Sequence, residues 1–377
     1  MNIRLFVLVA SAAAALGAQA ARHVGFETDA FNRAFPANYQ KSIVFSPAAF
    51  EFDCLVFAKA LDEARRAKIA ETMGVMVDLD VIYRPILDEL AVRTNGLSFV
   101  TAHGFVVPEI AHSSAEYRRM LQDEYSAAVC MAFPKDGCEA WFRAQMDGEM
   151  EGFELPQEVS MSRSSYSYYD LASIRVGWAT QFPPAGSHRG EFRLANGSTT
   201  NLEYMSSLRK IGLWETRKFT LMRLYMQSDC EFYAMVPNGS HTLDEIRPEL
   251  SSDAVERLLT VMESVTEDGV SHPFARVSLP KANFDSRLDF GGIMRYYRFP
   301  TKGLRSAAGE LPAKELVQRV KFSLGEGGGP VTEKDGEELA GVSVADVREI
   351  RLDRPFIFFI YHAKTATIPV AGQFTGL

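Results

Sequence analysis

The sequence predicts an α+β fold, and three features predict it. Helix-patterned stretches crowd the first part of the chain, at 46–74, 113–125 and 141–150, while strand-patterned stretches fill most of the remainder. The most apolar strand stands almost at the end: after Pro355 come Phe356, Ile357, Phe358, Phe359 and Ile360 without a polar break, as in a strand buried on both faces. Just before it, Gly325 to Glu349 holds six glycines, one proline and mostly polar or small residues, a composition that belongs on a surface. A long exposed loop is thus tied to one of the most buried strands.

Taken in order, Met1 to Ala20 has one cation at Arg4, an apolar run from Leu5 to Leu16, and Ala18-Gln19-Ala20 as a small-x-small cleavage site. This reads as a secretory signal peptide, so the mature protein is expected to be extracellular. The run is too short for a membrane span, and no other long apolar segment follows. Ser46 before Pro47 opens a helix, with Ser as cap and Pro in the first turn, and its pattern continues through Phe52, Leu55 and Val56. A second helix, Asp62 to Met73, stops at Gly74. Leu97 to Val107 reads as a strand. Ser113 to Tyr125 reads as a helix, with Tyr117, Leu121 and Tyr125 four residues apart, and Trp141 to Met150 as another. Leu221–Tyr225 and Glu231–Pro237 form an expected strand pair.

Composition narrows the function. The 377 residues are 47% hydrophobic, ample for a large core. Net charge is −8 with no cluster of Lys and Arg, which argues against nucleic acid or an anionic membrane as partner. Cys54, Cys130, Cys138 and Cys230 show no CxxC spacing; Cys130 and Cys138 are the pair close enough in sequence to suspect of a disulfide. Asn196-Gly197-Ser198 and Asn238-Gly239-Ser240 are sequons in turn-like surroundings, which makes Asn196 and Asn238 candidate glycan acceptors. No HExxH, GxSxG or GxxxxGK[ST] occurs, and the seven histidines are scattered without ligand spacing. The expectation is a protein that is not an enzyme and uses no metal or cofactor. Gly325-Glu326-Gly327-Gly328-Gly329 lacks the following helix and Lys of a phosphate loop, and reads as a flexible hinge.

Ile350-Arg351-Leu352-Asp353-Arg354-Pro355-Phe356 and the aliphatic run after it resemble the C-terminal signature of the serpin family at every position. Phe45-Ser46-Pro47 and Ile69 to Gly74 look like the serpin helix that opens with Ser-Pro and the segment after it, with Met73 where Leu is usual. Trp141 followed by an aliphatic, Trp178-Ala179-Thr180-Gln181-Phe182 continuing to Ser187 and Phe192, and Leu279-Pro280-Lys281 with Leu288-Asp289-Phe290 are similar to further serpin segments. The sequence departs from the family at Asp170, where Asn is usual, and at Val176, where Gly is usual. The resemblance covers about Ser42 to Phe374. It implies one serpin domain over residues 21–377: a large central mixed β-sheet, two further sheets and surrounding helices.

It also implies a function: the loop upstream of Pro355, about residues 327–350, is bait for a protease, and after cleavage its N-terminal part enters the central sheet. By the family's usual interval the cut falls near Val344, before Ala345. Crossing the sheet takes about sixteen residues, on the order of 50 Å, which starts the insert at Gly328 and carries Pro330 into a central strand. A second register puts the hinge at Glu333, Gly336, Glu337, Glu338 and Ala340. It shortens the insert by about six residues, to roughly 26 Å, with Glu337 where a small Thr is usual. Ala340, Val342 and Val344 would share the inward face. Val342, Ser343, Val344, Ala345, Val347 and Arg348 are the bait candidates, and Arg348 offers a later cut suited to a trypsin-like enzyme. Short loops of this kind resemble those of insect serpins that act on papain-like proteases, where Val342 or Val347 would precede the cut. Two functions stay open. One is a secreted, monomeric inhibitor of a cysteine or serine protease; the other is a non-inhibitory carrier, storage or chaperone protein, which the charged hinge favours.

Overall fold

The computed structural model describes residues 24–376 apart from 36–38, 60–62, 74–78, 95, 110, 114, 126, 161–163, 265–267, 300–304, 307–308 and 330–346. The helices are α1 (24–34), α2 (Pro47–Lys59), α3 (Glu63–Thr72), α4 (Leu79–Ala91), α5 (Ala115–Tyr125), α6 (Asp136–Gln145), α7 (Gln157–Ser160), α8 (Leu243–Ile246), α9 (Ser252–Glu263) and α10 (Gly291–Tyr296). Ser46 caps α2 as expected, its hydroxyl accepting from Ala49 N at 3.2 Å. The helix expected at Trp141–Met150 begins earlier, at Asp136, and ends at Gln145. Asp136 and Glu139 favour the earlier start because acids suit a first turn.

A five-stranded mixed sheet is the frame for the candidate site. Its order is β13 (Ala282–Asp289), β16 (Ala313–Leu324), β5 (Tyr166–Val176), β2 (Leu97–Val107) and β4 (Ala127–Met131). Both faces are covered. On β5, Tyr166, Tyr168, Ala172 and Ile174 join the main core, which includes α2, while Tyr169 and Leu171 join a second cluster with Phe142, Met146 and Phe153. The strand's alternation is therefore apolar on both sides, and its first nine residues are all buried. α6 lies close over β2 because Gly104 lacks a side chain: a Cβ there would stand 2.6 Å from Phe142 Cζ.

A seven-stranded sheet packs behind, in the order β1 (Ile43–Phe45), β19 (Thr367–Phe374), β18 (Phe356–His362), β10 (Cys230–Pro237), β9 (Phe219–Tyr225), β8 (Gly212–Glu215) and β11 (Val270–Ser271). The run after Pro355 is its third strand, flanked on both edges and buried from Phe356 to Ile360. A four-stranded sheet orders β17 (Arg348–Arg351), β12 (Phe274–Pro280), β7 (Thr199–Lys210) and β6 (His188–Arg193). A small sheet joins β15 (Gly309–Glu310), β14 (Arg305–Ser306) and β3 (Ala111–His112).

Candidate functional site

The loop singled out in the sequence starts where β16 ends and finishes where β17 begins. Glu333, Gly336, Glu337, Glu338, Ala340, Val342, Ser343, Val344 and Ala345 lie outside the described residues. Its two roots are described, and so is the seam between β5 and β16.

The upstream root is held tightly. Trp178 N donates to Gly327 O at 3.0 Å and Gly329 N to Trp178 O at 2.9 Å, a parallel bridge that prolongs the β5–β16 pairing. Trp178 Nε1 donates to Gly325 O at 2.7 Å, and Phe182 N to Glu326 O at 3.0 Å. A Cβ on Gly328 would fall 2.4 Å from Trp178 O, and one on Gly329 2.5 Å from Ala179 O. The hinge reading of Gly325–Gly329 is corrected here: Gly328 and Gly329 let two backbones meet at distances a side chain forbids, and hydrogen bonds to the carbonyls of Gly325, Glu326 and Gly327 fix the rest of the run. Trp178 is 1% exposed, with its ring 5.2 Å from Phe182 and 5.4 Å from Phe232. Glu326 receives Ser187 Oγ at 2.6 Å and Lys281 Nζ at 2.5 Å, and these partners hold its carboxyl below the usual carboxylate range.

The downstream root is itself a strand. Arg348 opens β17, opposite Ala275 in the parallel ladder with β12, and its guanidinium is bidentate to Glu215 at 2.6 and 2.7 Å. Val347, just ahead, is half-buried. Among the bait candidates, Arg348 thus stands inside a ladder and an ion pair, so a cut after it requires β17 to peel from β12.

Between the roots runs the seam. β16 pairs directly with β5, parallel, from Ala313 opposite Tyr166 to Phe322 opposite Ile174, with no strand between them. Midway along it sits a buried polar network. Gln318 on β16 donates through Nε2 to Asp170 Oδ2 at 2.6 Å and to Ser46 O at 3.0 Å, and its Oε1 accepts from Ser46 N at 2.8 Å. His103 Nδ1 and the Tyr168 hydroxyl both donate to Asp53 Oδ1, each at 2.8 Å, and His103 Nδ1 lies 3.4 Å from Asp170 Oδ1. Burial, then the neighbouring Asp53 charge, pushes the Asp170 carboxyl well above its ordinary range; burial does the same to Asp53. Burial lowers His103, against the pull of Asp170. The site therefore favours carboxylic acid beside neutral imidazole. The two carboxyls are within hydrogen-bonding reach of each other, and a shared proton supplies a donor to oxygens that otherwise have none, Asp53 Oδ2 and Asp170 Oδ1.

Asp53, His103 and Asp170 also approach as a metal's ligands would, with donor atoms within 4.8 Å of one another. Nevertheless, His103 Nδ1 is already committed to Asp53, and all three side chains are closed off from solvent. The sequence reading missed this cluster, since its members come from α2, β2 and β5. The signal that finds it is strand register, which sets His103 opposite Asp170.

Asn196 is exposed in the turn between β6 and β7, whereas Asn238 is half-buried, its Nδ2 donating to Thr216 O at 2.9 Å. Cys130 and Cys138 are free thiols, as are Cys54 and Cys230.

A family model for "Serpin (serine protease inhibitor)" matches residues 22–376. The chain belongs to the serpin family. Emu (Dromaius novaehollandiae) ovalbumin is 19% identical over 317 residues, 80% of each chain. Serine protease inhibitor 2 of Anopheles gambiae is 20% identical over 367 residues, covering 89% of this chain and 87% of its own. Among solved structures, native protease nexin-1 with heparin superposes with a TM-score of 0.80 at 16% identity, over 96% of this serpin and all of that chain. Uncleaved ovalbumin gives 0.78, also at 16% identity, over 95% and 99%. These likenesses establish the serpin fold, with its mixed central sheet and further sheets.

Proposed function

We propose that this serpin is a secreted protease inhibitor that offers the loop of about residues 327–350 as bait and, once cut, takes the freed segment into the seam between β5 and β16. The observation that carries the reading is the seam itself: two long parallel neighbours paired directly with no strand between them, lying beside a root that connects straight into the loop. The target is a serine or cysteine protease. Val344 is the preferred residue before the cut; for a papain-like enzyme the apolar residue ahead of the cut is Val342, or Val347 where the cut is the later one after Arg348, and Glu333, Gly336, Glu337, Glu338 and Ala340 act as the hinge. The protein acts as a monomer. Secretion rests on Met1 to Ala20, outside the described residues; of the two sequons, Asn196 suits a glycan better, because it is exposed whereas Asn238 is half-buried with its amide held by Thr216 and Thr220.

A second reading has its own support. Pro330 and the charges at Glu333, Lys334, Asp335, Glu337 and Glu338 resist burial in a central strand, which favours a non-inhibitory carrier, storage or chaperone role. Incubation with trypsin-like, chymotrypsin-like and papain-like proteases separates the two. The inhibitor reading expects time-dependent loss of one protease's activity together with a denaturation-resistant complex. Clean cleavage of the loop by every protease, with no loss of activity, leaves the carrier reading.

A further inference from the structure

Cys130 and Cys138 take no part in the seam or in either root of the loop. Cys130 lies on β4, the edge strand of the five-stranded sheet, opposite Val106 of β2. Cys138 lies in the first turn of α6, the helix that covers this sheet. Both line a cavity of about 590 Å³ between β4, α5 and α6, together with Trp141, Gln122, Arg118 and Arg119. Cys130 is half-buried and Cys138 is 4% exposed, so a reagent in the cavity meets Cys130 first.

The surroundings also divide the chemistry. The neighbouring Cys138 thiol lowers that of Cys130, while Cys130 and burial raise that of Cys138, in the same sense as their exposures. Cys130 is the better nucleophile and Cys138 the resolving thiol. Exchange with a small-molecule disulfide RSSR balances in two steps. The Cys130 thiolate attacks one sulfur, forming a mixed disulfide and releasing RS⁻. Cys138 then attacks Cys130 Sγ, closing the protein disulfide and releasing the second R-thiol. In sum, two cysteines are oxidised and RSSR is reduced to two RSH. Arg118 and Arg119, both exposed, favour an anionic oxidant of the glutathione disulfide kind.

A bond here would have a mechanical consequence. The apolar cluster under α6 includes Tyr169 of β5 and Val317 of β16, which are direct partners across the seam. A strand entering between them would part them by one further strand spacing, about 4.8 Å, and disturb the seat of the helix. We propose that Cys130 and Cys138 are a reversible redox pair whose disulfide ties α6 to β4 and slows entry of a strand into the β5–β16 seam. The clamp half of this proposal rests on the insertion reading above; the thiol half does not.

The test uses the full-length folded protein equilibrated in glutathione and glutathione disulfide mixtures, followed by alkylation and peptide mass mapping. The expected result is joint loss of two thiols as an intramolecular Cys130–Cys138 bond that thiol reductant reverses. Both cysteines remaining alkylatable in the most oxidising mixture, or Cys130 stopping at the mixed disulfide, overturns the pair. The second arm cuts the loop and follows the gain in thermal stability over time, comparing the oxidised protein, the reduced protein and Cys130→Ser. A gain several-fold slower in the oxidised protein alone supports the clamp, and equal rates overturn it. No gain in any state overturns the clamp along with the insertion reading, while the mass map still decides the pair.

Discussion

The top and the middle of the β5–β16 seam are held by opposite means. At the top, backbone meets backbone through Gly327, Gly328 and Gly329, with Trp178 buried as the wedge. In the middle, side chains do the joining: Gln318 reaches from β16 to Asp170 on β5 and to Ser46 ahead of α2, and Asp53 and His103 close the network behind. The first arrangement depends on shape and the second on protons. A seam that is to part must give way at both, and each can be perturbed alone.

The largest expected effect is at the top. Trp178→Ala removes a ring packed on Phe182 and Phe232 and should destabilise the fold by about 3–5 kcal/mol, read as a lower urea midpoint. Gly328→Val sharpens the point, because it adds atoms where Trp178 O is 2.4 Å from a Cβ position. Its cost should be about 1–3 kcal/mol, with faster hydrogen exchange confined to residues 325–329 and their partners. If either variant is as stable as the parent at every pH, the interlock at the top is not what holds the seam.

The middle should respond to pH instead. Asp53 and Asp170 have folded-state values above their unfolded ones, so their contribution is complete below the unfolded carboxylate range and is lost as pH rises toward the folded values. His103 is lowered, so its contribution runs the other way and is lost as pH falls through the ordinary histidine range. Asp170→Asn keeps a group that can accept from Gln318 but removes one acid. Relative to the parent it should gain stability steadily as pH rises from about 5 to about 8, read as a urea midpoint that falls less with pH than the parent's. A pH-independent difference would mean the two carboxyls do not share a proton. The smallest effect is at the far root: Arg348→Ala breaks an exposed pair with Glu215 and should cost under about 1 kcal/mol, shrinking further in high salt.

Legibility in the sequence divides along similar lines. Leu97–Val107 and the strand after Pro355 were readable because long runs of β-favouring residues state both type and burial. The start of α2 was readable from Ser46-Pro47, a local cap. Gly325–Gly329 does not disclose its role in the sequence, because glycine serves two opposite ends, freedom in a chain without neighbours and close approach where another backbone lies against it, as at Gly328 and Gly329. The Asp53–His103–Asp170 cluster was invisible, since side chains from three elements converge through register and packing rather than spacing. Asp170 did stand out, as an acid where Asn is usual, but only the fold gives it neighbours.

The most direct measurement is thermal unfolding before and after a single cut within residues 330–346. If the freed segment enters the seam, the cut protein should melt on the order of 10 °C higher or more, at about 1–2 °C for each kcal/mol gained in a domain of this size. A cut protein that melts at or below the temperature of the intact one would contradict the account.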